Sequence, residues 1–170
     1  MTDTTRTNPL PAGTKAPGFT LPAAPDRSVS LEDFRGRPVV LAFYPADWSP
    51  VCGDQLALYS ELRPEWDRLG TEVLGISVDG PWCHVAFSEA RHLKLTLLSD
   101  FEPKGEVSRR YDAYNEQGGT SKRALFVIDG EGVIRWSYVS PDEVNPGADG
   151  ILEELERLVQ TEAATAGSGK

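Results

Sequence analysis

Cysteine is scarce in this chain: two in 170 residues, Cys52 and Cys83. Two thiols cannot staple a domain of this size through several disulfides. With only His84 and His92 beside them they are also too few for a structural zinc site, so the pair Cys83–His84 does not read as a metal centre. Long apolar runs are absent as well. The longest, Pro38 to Pro45, is eight residues, against about 20 for a membrane-spanning helix. The polar start, Met1 to Asn8, leads into no apolar signal core, so nothing in it points to export. The expected setting is the reducing cytoplasm, where paired thiols are more often catalytic than structural. Positive charge is short too: 17 Lys and Arg stand against 26 Asp and Glu, a net charge of −9. That balance argues against nucleic acid or an anionic membrane as the main partner, since both reward a basic surface.

What remains is the composition of one soluble domain, with 39% hydrophobic and 25% charged residues and enough Gly and Pro for many turns. No repeat, linker or composition break divides residues 1–170. The Thr-, Pro- and Gly-rich stretch up to about residue 15 and the small polar residues 161–170 read as loosely held, flexible over about 1–12 and 161–170. Short β-branched and aromatic runs predict strands at 39–44, 72–78, 95–98, 124–128 and 133–139. Asp129-Gly130-Glu131-Gly132 joins the last two as a hairpin. In its second arm, Val133, Arg135, Ser137 and Val139 should share one face, and Ile134, Trp136 and Tyr138 the other.

Between the strands the period changes to that of a helix. Leu58, Leu62, Trp66 and Leu69 form one stripe of a helix over about 50–68, which Pro64 should break near Arg63. A second helix should begin at Pro81 and run through Phe87 to His92, leaving His92 on the surface. Shorter helical text covers 104–111. Asp149 or Asn145 can cap a last helix with the stripe Ile151, Leu152, Leu155, Leu158 and Val159. Strands alternating with helices, then a hairpin and a closing helix, define an α/β fold around a central sheet. Trp48, Trp66, Trp82 and Trp136 read as core and pocket lining.

The segment Phe43 to Gln55 joins a buried strand to a helix start, where ligand crevices form in open α/β sheets. Cys52 falls in the first turn of that helix. Unpaired N–H groups and the positive end of the helix dipole favour an anion there. Such placement lowers a thiol pKa from about 8.5 to roughly 3.5–7.5, and the thiolate is the nucleophile. Position alone does not separate this from a buried structural thiol.

Pro45-x-x-x-Ser49-x-x-Cys52 resembles the active-site pattern of the peroxiredoxins. The similarity continues in Ala16-Pro17-Gly18-Phe19-Thr20-Leu21, Leu31 to Gly36, Gly75 to Asp79, Leu97 to Asp100 and Arg123 to Asp129, over roughly residues 12 to 160. The wording around Val107 to Gly118 is most similar to the alkyl hydroperoxide reductase E-like and bacterioferritin comigratory protein groups. The resemblance implies a thioredoxin-like fold, with a central mixed sheet flanked by helices and an N-terminal extension. It also implies reduction of hydrogen peroxide or organic hydroperoxides without metal, flavin or haem. In that scheme Cys52 attacks the peroxide and becomes a sulfenic acid. Ser49 offers a hydroxyl to the peroxide, Arg123 holds the thiolate and polarises the peroxide, and Pro45 walls the pocket. The backbone N–H groups of Val51 and Cys52 help bind oxygen.

Two departures qualify the resemblance. Many relatives carry Glu where Gln55 stands, which puts their buried Arg–Glu network in doubt here, and the motif hydroxyl is Ser rather than Thr. The position five residues after Cys52, where some members have a resolving cysteine, is Ala57. The similarity to members with a resolving cysteine on the next helix implies a Cys52–Cys83 disulfide, reached by local unwinding that Gly53 and Gly80 ease. A thioredoxin-like protein or small thiols would then supply electrons to a monomer or homodimer. The alternatives are a one-cysteine peroxiredoxin recycled by external thiols and a non-enzymatic redox sensor or holdase. A thioredoxin-like disulfide oxidoreductase would need Cys-x-x-Cys, and Ser49 takes the first position.

Overall fold

The structure is a computed structural model and describes residues 8–167, with side chains to residue 164. In chain order it forms β1 (Thr20–Ala24), β2 (Arg27–Ser30), a 3-10 turn (Leu31–Phe34), β3 (Val39–Phe43), α1 (Pro50–Glu61), α2 (Arg63–Arg68) and β4 (Glu72–Ser77). There follow α3 (Pro81–Arg91), β5 (Thr96–Ser99), α4 (Glu106–Arg110), β6 (Tyr114–Asn115) and β7 (Thr120–Ser121). The chain closes with β8 (Arg123–Ile128), β9 (Ile134–Ser140) and α5 (Asp149–Gly167). The central sheet runs β5-β4-β3-β8-β9, parallel among β3, β4 and β5 and antiparallel across β3–β8 and β8–β9. All residues of β3 and β8 are buried, as their unbroken apolar text requires.

The two faces of the sheet have different covers. Val39, Leu41 and Phe43 join Ala124, Phe126 and Ile128 in one cluster with Phe19 and Tyr111. Val40 and Ala42 face the other way with Leu125 and Val127, under Tyr59 of α1 and Ile151 and Leu155 of α5. The break expected near Arg63 falls at Leu62, between α1 and α2, and Leu58, Leu62, Trp66 and Leu69 all pack on that second face. Among the described residues no helix is long and apolar enough to cross a membrane.

Several expectations need correction. The hairpin arm β9 does not alternate regularly. Val127 pairs with Trp136 but Ile128 pairs with Ile134, so Arg135 is an extra residue in a β-bulge. The bulge turns Ile134 onto the same face as Val139, away from Trp136. Residues 10–15 are not loose. Leu10 and Gly13 donate backbone bonds to Tyr111 and Ile134, and Ile134 donates to Thr14. Polar, turn-rich text does not prevent a chain from pairing along an open strand, because the backbone supplies both partners. Residues 1–7 and 168–170 lie outside the described chain, but α5 continues past Thr161 to Gly167, helped by Ala163 and Ala164. The β1–β2 hairpin, which packs on β5 and α3, has no strong periodic signature and was not expected.

Gly75 sits at the centre of β4 beneath the helix that carries Cys52. A Cβ there would stand 2.7 Å from Leu97 Cδ2 and 3.3 Å from Tyr44 Cε1. Gly75→Ala should therefore cost about 1–3 kcal/mol by overpacking, read as a lower denaturant midpoint at unchanged m-value.

Candidate active site

The site forms because two parts of the chain reach the same end of the sheet. β3 ends at Phe43, whose partner on β8 is Ala124. One residue back on the antiparallel strand is Arg123, which therefore lies beside the segment leading from β3 into α1. Its parity is that of Leu125 and Val127, so its side chain emerges on the face covered by α1. On that helix Cys52, Gln55, Leu56 and Tyr59 fall at three- and four-residue spacing and are all buried.

Arg123 is 1% exposed and carries a full positive charge. It makes four hydrogen bonds. Nη1 donates to Gln55 Oε1 at 2.7 Å, while Nε and Nη2 donate to the Asp142 carbonyl at 3.1 and 2.6 Å. Nη2 also donates to Cys52 Sγ at 3.4 Å. The first three go to neutral oxygens, so the sulfur is the one acceptor in this set able to carry a negative charge. Gln55 thus keeps the buried arginine network that its amide put in doubt. Its Nε2 donates to Tyr59 Oη at 3.1 Å, and Tyr59 donates onward to the Gly147 carbonyl at 2.8 Å. Burial pushes the Tyr59 phenol up to about 12, against a smaller opposing effect of Gln55 and Arg123, so it acts here as a neutral donor.

Cys52 is fully buried, in a cluster with Tyr44, Leu56, Phe87 and Leu97. Ser49 is the N-cap of α1, yet its hydroxyl makes no capping bond. The first helical bond runs from Gly53 N to the Ser49 carbonyl at 2.8 Å, leaving the N–H groups of Val51 and Cys52 without helical acceptors. Pro45 is half-buried at the start of the loop. Pro45, Ser49, Cys52 and Arg123 therefore share one end of the fold.

Trp48 and Trp82 are not core residues: they are 56% and 75% exposed, whereas Trp66 is buried. Helix text and a neighbouring cysteine do not reveal which way an indole points. Trp48 has a left-handed backbone, φ 70°, a conformation costing about 1–2 kcal/mol outside glycine. Its ring packs edge-on against Phe87, centroids 5.3 Å apart.

Cys83 is half-buried in the first turn of α3, and both cysteines are free thiols. Its Sγ lies 4.0 Å from Asp79 Oδ1. Burial, and then the carboxylates of Asp47 and Asp79, push the Cys83 thiol up to about 11. These three residues bring one ligand atom each within 4.8 Å of one another. Hydrogen bonds from Tyr44, Ser77 and the Asp47 backbone already engage the two carboxylates. His84 is buried, not a ligand beside Cys83: its Nδ1 pairs with Asp47 Oδ2 at 2.7 Å and its Nε2 donates to the Leu98 carbonyl at 3.0 Å. Asp47, Asp79 and Tyr59 were not singled out from the sequence. Asp47 lies inside the motif segment, which was the available signal, but no local pattern announced its partners. His92 is exposed, as expected.

A thiol at a helix start, faced by a buried guanidinium on a mixed five-stranded sheet, defines a thioredoxin-like fold adapted for thiol chemistry. The AhpC/TSA family matches residues 12–137. A putative peroxiredoxin of Porphyra purpurea is 32% identical over 166 residues, spanning 92% of this chain and 82% of that protein. Another, from Mycobacterium tuberculosis, is 41% identical over 140 residues, 79% of this chain and 86% of that one. The reduced 2-Cys peroxiredoxin of Plasmodium vivax superposes with a TM-score of 0.83 at 27% identity, covering 91% of this chain and 85% of its own. The chain belongs to the AhpC/TSA family. It is a peroxiredoxin, a thiol-dependent peroxidase.

The environment of Cys83 has a direct consequence. In a Cys52→Ser protein, alkylation of the remaining thiol should accelerate about tenfold per pH unit from pH 7 to 10 without a plateau, because the thiolate stays scarce below about 11. In denaturant the plateau should return near the ordinary value of about 8.5.

Proposed function

We propose that Cys52 is the peroxidatic residue of this peroxidase. The Cys52 thiolate attacks one peroxide oxygen. The S–O bond forms as the O–O bond breaks, the other oxygen leaves with a proton as water or alcohol, and the sulfur becomes a sulfenic acid. Charge moves onto the leaving oxygen, so donors already aimed at it lower the barrier. Arg123, the Ser49 hydroxyl and the N–H groups of Val51 and Cys52 fill that role, with Pro45 limiting water. The observation that carries this reading is the Arg123 contact with Cys52 Sγ at 3.4 Å inside a buried site. An ordinary core thiol has no use for a desolvated guanidinium.

Regeneration proceeds through Cys83. Cys83 gives up its proton as its sulfur attacks the sulfenic sulfur; an S–S bond forms, the S–O bond breaks, and the departing hydroxide takes up that proton and leaves as water. A thioredoxin-like dithiol then reduces the disulfide, in a cytoplasmic setting. One observation favours a second reading, in which small external thiols recycle Cys52 directly: in the reduced protein Cys83 is held as a thiol by burial and two carboxylates. The Cys83 route therefore includes a local opening of the α3 start that separates Cys83 from these carboxylates before attack.

Mass analysis after one equivalent of peroxide separates these readings. Loss of two hydrogens marks the disulfide, and gain of one oxygen marks the one-cysteine cycle. Cys52→Ser should abolish peroxide turnover. Cys83→Ser should retain the first turnover and lose thioredoxin-dependent recycling; normal recycling by that variant rejects the Cys83 route, and turnover by Cys52→Ser rejects the whole proposal.

A further inference from the structure

The loop between β3 and α1 holds Pro45 and Ser49 and sets where the helix of Cys52 begins, with backbone pairing at its two ends, where Tyr44 N donates to the Ile76 carbonyl and the Ser49 carbonyl accepts from Gly53. Its anchor is Asp47. The Asp47 backbone N–H donates to Asp79 Oδ2 at 2.9 Å, at the end of β4. The Tyr44 hydroxyl donates to Asp47 Oδ1 at 2.7 Å, and His84 Nδ1 meets Asp47 Oδ2 at 2.7 Å. His84 is fixed from its other side, where Nε2 donates to the Leu98 carbonyl at 3.0 Å, on β5. The side chains of Asp47 and His84 are 0% and 2% exposed.

The hydrogen-bond count constrains this node. The Leu98 carbonyl only accepts, so His84 Nε2 carries a proton. Tyr44 spends its proton on Asp47 Oδ1. One further proton must then lie between His84 Nδ1 and Asp47 Oδ2, since two lone pairs would repel at that separation. A buried pair of this kind adds little stability over well-packed apolar residues and is costly to break one partner at a time. Its effect here is geometric. It joins loop 45–49 to α3 and β5 and over-determines the segment that holds Trp48 in its left-handed backbone.

We propose that Asp47 and His84 are positioning residues for the peroxidase reaction, a buried pair that holds the loop 45–49 against α3 so that Ser49 and the first turn of α1 face Arg123. The hydrogen bonds of the pair run to Tyr44, Asp79 and Leu98 and not to Cys52, so it acts on that sulfur through the loop. Because Ser49 accepts the first helical bond from Gly53, at 2.8 Å, a displaced loop displaces the turn that bears Cys52. Misplacement of reacting groups by about 1 Å can cost roughly 100-fold in rate. Release of the loop also exposes a sulfur that is otherwise fully buried.

This inference rests on Cys52 being the peroxidatic residue, and its test does not depend on whether Cys83 resolves the sulfenic acid, because parent and variants share the same Cys83→Ser background. In a Cys83→Ser background two rates are measured: oxidation of Cys52 by hydrogen peroxide, and trapping of the resulting sulfenic acid by dimedone. His84→Phe should slow oxidation by roughly tenfold or more and should accelerate trapping. Asp47→Asn, which keeps the shape and removes the charge, should shift both rates in the same directions by less, and carries the comparison if His84→Phe does not fold. Oxidation within twofold of the parent, or trapping that does not accelerate, overturns the proposal. Peroxide turnover by Cys52→Ser would instead overturn the peroxidatic assignment itself.

Discussion

A guanidinium taken out of water is the constraint around which this protein is organised. Arg123 is 1% exposed, and a buried charge is tolerated only when its donors are matched and its field is used. Its four hydrogen bonds satisfy the first condition. Because the oxygens of Gln55 and Asp142 are neutral, the positive field is left directed at Cys52. The amide at Gln55 therefore sharpens the arrangement. A carboxylate there would neutralise part of the charge, whereas the amide fixes the fork in place and leaves the charge beside the Cys52 sulfur.

The fold supplies this geometry through register and parity. Antiparallel pairing of β3 with β8 brings residue 123 to the level where β3 ends. Period-two alternation then aims it at the face that α1 covers, and the helical spacing of Cys52, Gln55 and Tyr59 brings three partners to meet it. A one-residue shift of β8 would turn Arg123 into the opposite cluster of Phe43 and Phe126. The unbroken burial of β3 and β8 guards against such a slip, since both faces of each strand are committed.

Much of this was legible in the residues. The strand text from Val39 to Phe43, the helix break that Pro64 imposes near Arg63, the start of α3 at Pro81 and the 129–132 turn all rest on local chemistry, and local chemistry is what a sequence exposes. The motif spanning Pro45 to Cys52 and its resemblance to peroxiredoxins likewise pointed to Arg123. The features that escaped depend on distant partners. The bulge at Arg135 is a property of a strand pair. The pinning of Leu10 and Gly13 belongs to a backbone edge with no side-chain signature. Exposure of Trp48 and Trp82 depends on neighbours supplied by other elements. His84 read as an unlikely metal ligand because its real partners, Asp47 and the Leu98 carbonyl, come from two other parts of the chain.

The central claim is that the Arg123 charge makes Cys52 a peroxide-cleaving sulfur. The second-order rate of Cys52 oxidation by hydrogen peroxide, compared between the native chain and Arg123→Met with folding verified by circular dichroism, tests it most directly. A loss of roughly 100-fold or more is the expected result. A rate within a factor of two of the native chain would contradict the account.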